Sequence, residues 1–535
     1  MLLSLLVSAL LPVTAPQAVQ PYAAMRASVA AELPRSRAVG KKRVKAAVPK
    51  ARRTVRVAGA SAAVAAVAAG AATGEIHFTS PTGRAALALD LGAMLDRVMR
   101  GGNWGVLVVS LTGGDTLFGR NPDAMLLPAS TMKLFTSSLA LDRFGASGRF
   151  ETEVMRSGAI GSDGVLRGDL VLKGAGDPTL GGKPVDGAEP PMTVLARQIA
   201  AAGVRRVSGG IIGDASAFEE RHVPDGWKKR YLGASYAARV SALSFNENKI
   251  TVVVRPEGAR AEISFLPAVT GVPVENSVEV VRGSRGSRLH IRQDSSGRFA
   301  VVGWIGAQSP ARDLQYVLEA PEMFASGALR AALAGVGVVV DGPVRMGPTP
   351  AGAARVASLP SPPLEKIVTQ MNGESNNHFA ELLFRNVARS AGGAGSAENG
   401  NIFLHRFLTE KVSVAPQTVF AADGSGLSTL DRVTPRAMVQ LLGYAKRAPW
   451  GPVFEASLPV AGETETLRRR MKYTPAKGNL HAKTGTTNDV ASLGGYVTAR
   501  NGEQLVFSFI YNGADRWRAK SAMDAMGATL AGFTR

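Results

Sequence analysis

The sequence contains no cysteine. Disulfides, thiolate metal sites and a cysteine nucleophile are excluded together. The compartment stays open, because an exported protein need not carry disulfides. Histidine is scarce, and His77, His222, His290, His378, His405 and His481 show no zinc-protease spacing. His378 and His481 adjoin motifs described below and are read as structural or surface residues. There is no Gly-x-Ser-x-Gly elbow, zinc finger, RNA-binding signature or glycine-rich phosphate loop. A long apolar run is also missing. Val57–Ala72 is too short and too poor in Leu and Ile to make a stable membrane span.

The 535 residues, 45% of them hydrophobic and 19% charged, exclude a disordered chain. At about 150 residues per domain, three to four domains are expected. The net charge of +20 first suggests an anionic partner, but +9 of it lies within residues 1–75. The body therefore does not demand a nucleic-acid face, and no nucleic-acid partner is expected. Arg52, Arg53 and Arg56 precede the apolar Val57–Ala72 stretch, and Thr73-Gly74-Glu75 follows it. A basic flank, a short apolar stretch and a small-residue exit describe a secretory signal, with Ala69-Gly70-Ala71 suited to cleavage. Residues 1–72 are read as a signal and basic amino-terminal segment, and the mature protein as exported to the periplasm or cell-wall space. A disordered Ala/Arg-rich tail is the alternative.

From Trp104 the pattern predicts a strand (Val106–Val109), a turn at Thr112–Asp115 and a second strand from Thr116. Pro128 opens a helix with Met132, Phe135 and Leu139 at helical spacing, ending near Gly145. Residues 150 to about 360 are read as β-rich inserted material, with strands at Val165–Leu172, Lys249–Val254, Ser277–Val281, Leu289–Arg292 and Val336–Val340. Helical patterning returns at Leu364–Met371 and His378–Ala388. Two strands, Ala491–Thr498 and Gln504–Tyr511, and a helix, Arg516–Phe533, close the chain. The fold class is α/β (α+β): an antiparallel sheet with helices, interrupted by the insertion.

Three short motifs carry chemistry. Ser130 and Lys133 lie three apart on the helix opened by Pro128, so they share a face. A serine hydroxyl needs a base to become a nucleophile, and a desolvated lysine can serve. Read alone, the pair is equally a helix start with a solvated lysine. Ser375-Asn376-Asn377 lies between two helical stretches, and on a turn Ser375 and Asn377 can both face a cleft. A hydroxyl there can relay a proton and an amide can hold a peptide group. Helix capping is its plain alternative. Lys483-Thr484-Gly485-Thr486 supplies a positive charge, two hydroxyls and a glycine that lets a substrate backbone approach. These features suit an anionic, peptide-like ligand lying as an added strand. An edge strand with a tight turn is the other reading.

The order Ser-x-x-Lys, Ser-x-Asn, Lys-Thr-Gly is that of penicillin-binding proteins and serine β-lactamases. The chain resembles the D-alanyl-D-alanine carboxypeptidase/endopeptidase family, the class C low-molecular-weight penicillin-binding proteins. Gly176–Leu180, Val240–Ser244 with Asn246 and Asn248, Asp423–Ser428, Arg432–Pro435 and Leu458–Gly462 extend the likeness over most of residues 85–535. Asn376 departs from it, since Asp is frequent there; a side chain pointing away would make the change immaterial. Asp423–Ser428 reads either as a cleft-lining segment or as a glycine-rich turn.

The resemblance implies a transpeptidase-like catalytic domain split into 80–149 and 362–535. An inserted β-rich domain would take 150–175 and 263–361, and a second, nested domain 176–262. It also implies an activity, removal of D-alanine from peptidoglycan stem peptides through an acyl-enzyme, with endopeptidase action on cross-links and covalent inhibition by β-lactams. Ser130 would be the nucleophile, Lys133 its base, Ser375 the proton shuttle and Lys483 the charge tuning that path. Asn377 would bind the substrate amide, and Thr484, Gly485 and Thr486 the carboxylate end, with the Ser130 and Thr486 amides as oxyanion donors. No cofactor or metal is implied, and oligomeric state is not. A β-lactamase and a non-catalytic peptidoglycan-binding protein are the rival readings.

Overall fold

The computed structural model describes residues 75–97, 102–181 and 189–535. The expected signal segment, 1–72, lies outside the described residues. Among the described residues no helix is long and apolar enough to cross a membrane.

The expected hairpin forms as β1 (Gly102–Ser110) and β2 (Thr116–Arg120). The other strands of its sheet come from the far end of the chain: β3 (His481–Thr486), β4 (Val490–Thr498) and β5 (Gln504–Gly513). The order is β2-β1-β5-β4-β3, antiparallel throughout. Gly102 pairs with Gly513 and Ser110 with Leu505, so the first and last strands of the domain lie side by side.

Period-two alternation sorts side chains to the two faces. Val106, Val108, Phe507 and Phe509 pack against Leu87 and Leu91 of α1 (Arg84–Asp96). Leu107, Val506 and Ile510 face the other way, onto Phe135 and Leu139 of α2 (Met132–Phe144) and a second group of helices. That group includes α3 (Leu364–Glu374), α4 (Asn377–Arg389) and α5 (Pro435–Arg447). The last helix, α6 (Arg516–Gly532), joins α1 on the first face through Met523, Met526 and Leu530. The two faces of an antiparallel sheet are thus both covered, the layering expected of the α+β class.

Among the described residues, the segment from Glu151 to Pro360 supplies no strand to this sheet and builds three of its own, of four, five and six strands. Two helices, Pro191–Ala201 and Pro321–Gly335, pack into its core through Leu195, Ile199, Phe324 and Leu329. Here the sequence reading needs correction. The expected boundary at 262/263 falls inside the strand Arg260–Leu266, which pairs with Lys249–Glu257 through a turn where Gly258 takes φ +58. The boundary at 175/176 separates Leu170–Lys173 from Ile211–Asp214, yet these strands pair in parallel. Val336 ends the helix Pro321–Gly335 rather than opening a strand. Short apolar runs do not by themselves distinguish helix from strand.

Gly495 on β4 shows how closely β3 is held. A Cβ there would lie 2.6 Å from the Ala482 Cα and collide with the His481 carbonyl. Glycine in a strand marks such an approach of backbones. Gly495→Val should destabilise the protein by about 1–3 kcal/mol, the usual cost of overpacking. A lower midpoint of urea unfolding would be the readout, and a wild-type midpoint would contradict it.

Candidate active site

Ser130 does not sit in regular α-helix. It lies in a 3-10 turn, Ala129–Thr131, that precedes α2 and is closed by the Thr131 hydroxyl donating to the Pro128 carbonyl at 2.7 Å. Ala129 has φ +47, a left-handed conformation that costs a non-glycine residue about 1 kcal/mol. Ser130, immediately after this strained residue, lines a cavity of about 350 Å³.

Lys133 follows on α2, whose residues Met132 to Leu141 are all buried. Its Nζ has three neighbours: Ser130 Oγ at 3.0 Å, Asn377 Oδ1 at 2.6 Å and the Ser425 carbonyl at 2.7 Å. Burial pushes the lysine pKa from 10.5 down to about 7, against the opposing pull of Asp423, Glu381 and Asp431. A neutral amine has two N–H bonds and one lone pair. Asn377 Oδ1 and the Ser425 carbonyl can only accept, so they take the two N–H bonds. The lone pair is left facing the Ser130 hydroxyl.

Ser375 and Asn377 reach the same place from the break between α3 and α4. Ser375 caps α3 in a left-handed conformation, φ 60, and Asn376 is extended, so the chain reverses within two residues. Asn377 then opens α4, its Nδ2 donating to the Tyr236 carbonyl at 2.8 Å, which fixes Oδ1 toward Lys133. Asn376 does not point away from its surroundings. Its Oδ1 caps α4 at the Phe379 amide (3.2 Å) and its Nδ2 donates to Glu247 of the insert (3.0 Å). An aspartate could make the first bond but not the second.

Lys483 is fully buried on β3. Its Nζ donates to Ser375 Oγ at 2.8 Å and to the Thr484 carbonyl at 2.9 Å. Burial, reinforced by the Lys133 charge, holds its pKa well below the ordinary lysine value. β3 is the edge strand of the sheet and runs beside Ser130. A Cβ on Gly485 would meet the Pro128 carbonyl at 2.8 Å, the Ser130 amide nitrogen at 2.9 Å and the Ser492 hydroxyl. Thr486 lines the cavity. Thr484 faces elsewhere, 9% exposed, with its hydroxyl on Thr466 at 3.2 Å.

Ser130, Ser375, Asn377 and Thr486 thus line one cavity, Lys133 and Lys483 are hydrogen-bonded to its two serines, and Gly485 packs against the Ser130 amide, with Thr484 facing Thr466. The structure adds walls that no motif announced, Tyr231 and Tyr236 from the insert and Arg516 from the start of α6, while Leu427 comes from the Asp423–Ser428 segment. That segment satisfies both of its readings, because Gly426 turns at φ +84 and also lines the cleft. Glu381 was also missed. It lies four residues after Asn377, one helical turn along α4, and burial followed by the Asp423 charge pushes it up to about 8. A carboxylate on the apolar face of α4 was the signal available. His378 is buried, and desolvation holds it near 4, neutral.

Residues 88–532 match the D-Ala-D-Ala carboxypeptidase 3 (S13) family. The chain belongs to that family. It is therefore a D-Ala-D-Ala carboxypeptidase, a hydrolase. Among its relatives is the D-alanyl-D-alanine carboxypeptidase of Actinomadura sp. (strain R39), 34% identical over 83% of this chain and 84% of that one. The D-alanyl-D-alanine carboxypeptidase DacB of Haemophilus influenzae is 23% identical over 82% and 90%. In fold, this S13 carboxypeptidase is similar to the crystal structure of H. influenzae penicillin-binding protein 4, with a TM-score of 0.69 over 82% of this chain and 98% of that one. The H. influenzae protein has also been solved in complex with a β-lactam.

The contact at Gly485 carries a prediction. Gly485→Ala should push β3 away from the Ser130 amide and slow acylation by benzylpenicillin about 100-fold, the cost of misplacement by about 1 Å. Stopped-flow acylation of the folded variant would decide, and an unchanged rate would mean that β3 and Ser130 need not touch.

Proposed function

We propose that this S13 carboxypeptidase removes the terminal D-alanine of peptidoglycan stem peptides through an acyl-enzyme on Ser130. The observation that carries the assignment is the Lys133 amine, whose two acceptor partners leave its lone pair to the Ser130 hydroxyl. Ser130 Oγ attacks the penultimate D-alanyl carbonyl and its proton passes to Lys133. The carbonyl oxygen becomes an oxyanion between the Ser130 and Thr486 amides. The C–N bond then breaks, and Ser375, hydrogen-bonded to Lys483, passes its proton to the leaving amine and is refilled with the proton that Lys133 took, which returns Lys133 to its neutral form. Water hydrolyses the remaining ester and restores Ser130.

Asn377 sits where it would bind the substrate amide, and Thr486, with Thr484 behind it, where the terminal carboxylate would lie beside Lys483. A D-alanyl cross-link presents the same bond, so endopeptidase action follows from the same chemistry. β-Lactams acylate Ser130 by ring opening, and the product has no leaving amine to depart. The substrate places the protein outside the cytoplasm, in agreement with the signal read at 1–72. The split organisation we propose puts 80–149 and 362–535 in the catalytic domain and the intervening residues in the insert.

Intact-protein mass after incubation with benzylpenicillin should show one adduct on residues 72–535 and none on Ser130→Ala. An adduct on the variant would remove Ser130 from its role, and wild-type protein that released no D-alanine from a D-alanyl-D-alanine peptide would refute the activity. Because Lys133 must be neutral to act as base, the acylation rate should rise with pH through about 7, where burial places its pKa. A rate that was flat there, or that fell with rising pH, would exclude Lys133 as the base.

A further inference from the structure

The Asp423–Ser428 segment has a carboxylate at its centre that the reaction does not use. Asp423 is fully buried and accepts four N–H bonds. Oδ1 takes the amides of Ser425 (2.9 Å) and Gly426 (2.6 Å). Oδ2 takes the amide of Ser428 (2.7 Å) and the indole N–H of Trp227 (2.7 Å). The loop wound around this carboxylate presents the Ser425 carbonyl to Lys133 and Gly426 and Leu427 to the cleft.

Trp227 belongs to the insert. Its neighbours extend the junction, since the Ser428 hydroxyl donates to the Asp225 carbonyl (2.7 Å) and the Thr429 hydroxyl to the Gly226 carbonyl (2.9 Å).

We propose that Asp423 is a positioning residue for Lys133, setting the Ser425 carbonyl that fixes the amine, and that Trp227 couples the insert to the catalytic centre through it. This rests on Lys133 being the base that activates Ser130. Charged or titratable groups face Lys133 from each element packed around it. Glu381 lies on α4, backed by Arg385; Asp423 and Asp431 flank the loop; Lys483 lies on β3. Glu381 accepts from the Gly424 amide (3.1 Å) and Asp431 from the Ala422 and Asp423 amides (2.8 and 3.3 Å). Asp423, however, binds the three later amides, of Ser425, Gly426 and Ser428, around the carbonyl that holds the amine, and its charge also raises the proton affinity of Lys133.

Asp423→Asn keeps an oxygen for Ser425 and Gly426 but turns an NH₂ group against the Ser428 and Trp227 N–H donors. The test is the time course of benzylpenicillin acylation on full-length protein, resolved into a non-covalent binding constant and a limiting acylation rate constant across neutral pH. For Asp423→Asn we expect the rate constant to fall about 10- to 100-fold, as for a misplaced catalytic group, with binding unchanged. The acid limb should move to lower pH, because a charge favouring protonated Lys133 has gone. The adduct should still reach completion. A folded variant with the wild-type rate, or a slower one whose acid limb does not move, would overturn the proposal.

Should Asp423→Asn not fold, Trp227→Phe carries the test. It keeps the ring and removes only the indole donor, and the rate constant should fall about threefold to tenfold at unchanged binding, a fraction of the full misplacement cost. A wild-type rate constant would overturn the proposal. Wild-type protein that formed no adduct would instead contradict the assignment of Ser130, whatever the variants did.

Discussion

The centre of this protein depends on keeping an amine out of water. Lys133 lies on a helix buried all round from Met132 to Leu141, and desolvation strips its proton at a pH where an exposed lysine would hold it. Burying a cation is costly unless partners are supplied, and here two oxygens that can only accept are supplied with correct geometry. The same dry surroundings keep Glu381 and Asp431 toward their neutral forms, both being raised by burial and by Asp423. Three acids below one lysine therefore do not simply flood it with negative charge. Lys483 is desolvated in the same way, and the charge of Lys133 lowers its pKa further.

The acceptors come from segments remote in the chain, and the insert is what aligns them. Among its polar contacts with the catalytic side, three bear on the site's own residues: the Tyr236 carbonyl on Asn377, Glu247 on Asn376, and Trp227 on Asp423. Glu247 itself sits in a run of three positive-φ residues, Asn246 to Asn248, a conformation that the surrounding hydrogen bonds must hold. Asn248 donates to the Arg239 carbonyl (2.8 Å) and the Ser244 hydroxyl (3.0 Å), which ties that turn to the rest of the insert. A segment that supplies two tyrosines to the cavity wall thus also holds Asn376, Asn377 and Asp423 in place.

The catalytic sheet and its helices were legible because their signals are local. Alternation in Val106–Val109 and Gln504–Tyr511, the helical spacing of Met132, Phe135 and Leu139, and the glycine at 145 each report on a single element. The three motifs could be recognised for the same reason, as each lies within three or four consecutive positions. What could not be read was distance across the chain. Nothing in the neighbourhood of Tyr236 announces Asn377, and no local pattern links Trp227 to Asp423. The insert's internal boundaries failed likewise, because parallel pairing of Leu170–Lys173 with Ile211–Asp214 and the turn at Gly258 join pieces whose composition differs. Thr484 shows the opposite limit: a motif residue whose hydroxyl is engaged behind the cleft rather than in it.

The pairing of β1 with β5 has a consequence for the order of events in the cell. Ser130 lies in the first third of the chain, but the sheet beside it is completed by strands that begin at His481. Closing so long a loop adds only a slowly growing entropic cost, yet it delays native contacts until the far end is available. A ribosome or export channel that has released residues up to 450 has released Lys133, Asn377 and Ser425, but neither Lys483 nor the edge strand. The cavity beside Ser130 is therefore incomplete until β3 has been added, because Thr486 forms part of its wall and Gly485 packs against the Ser130 amide.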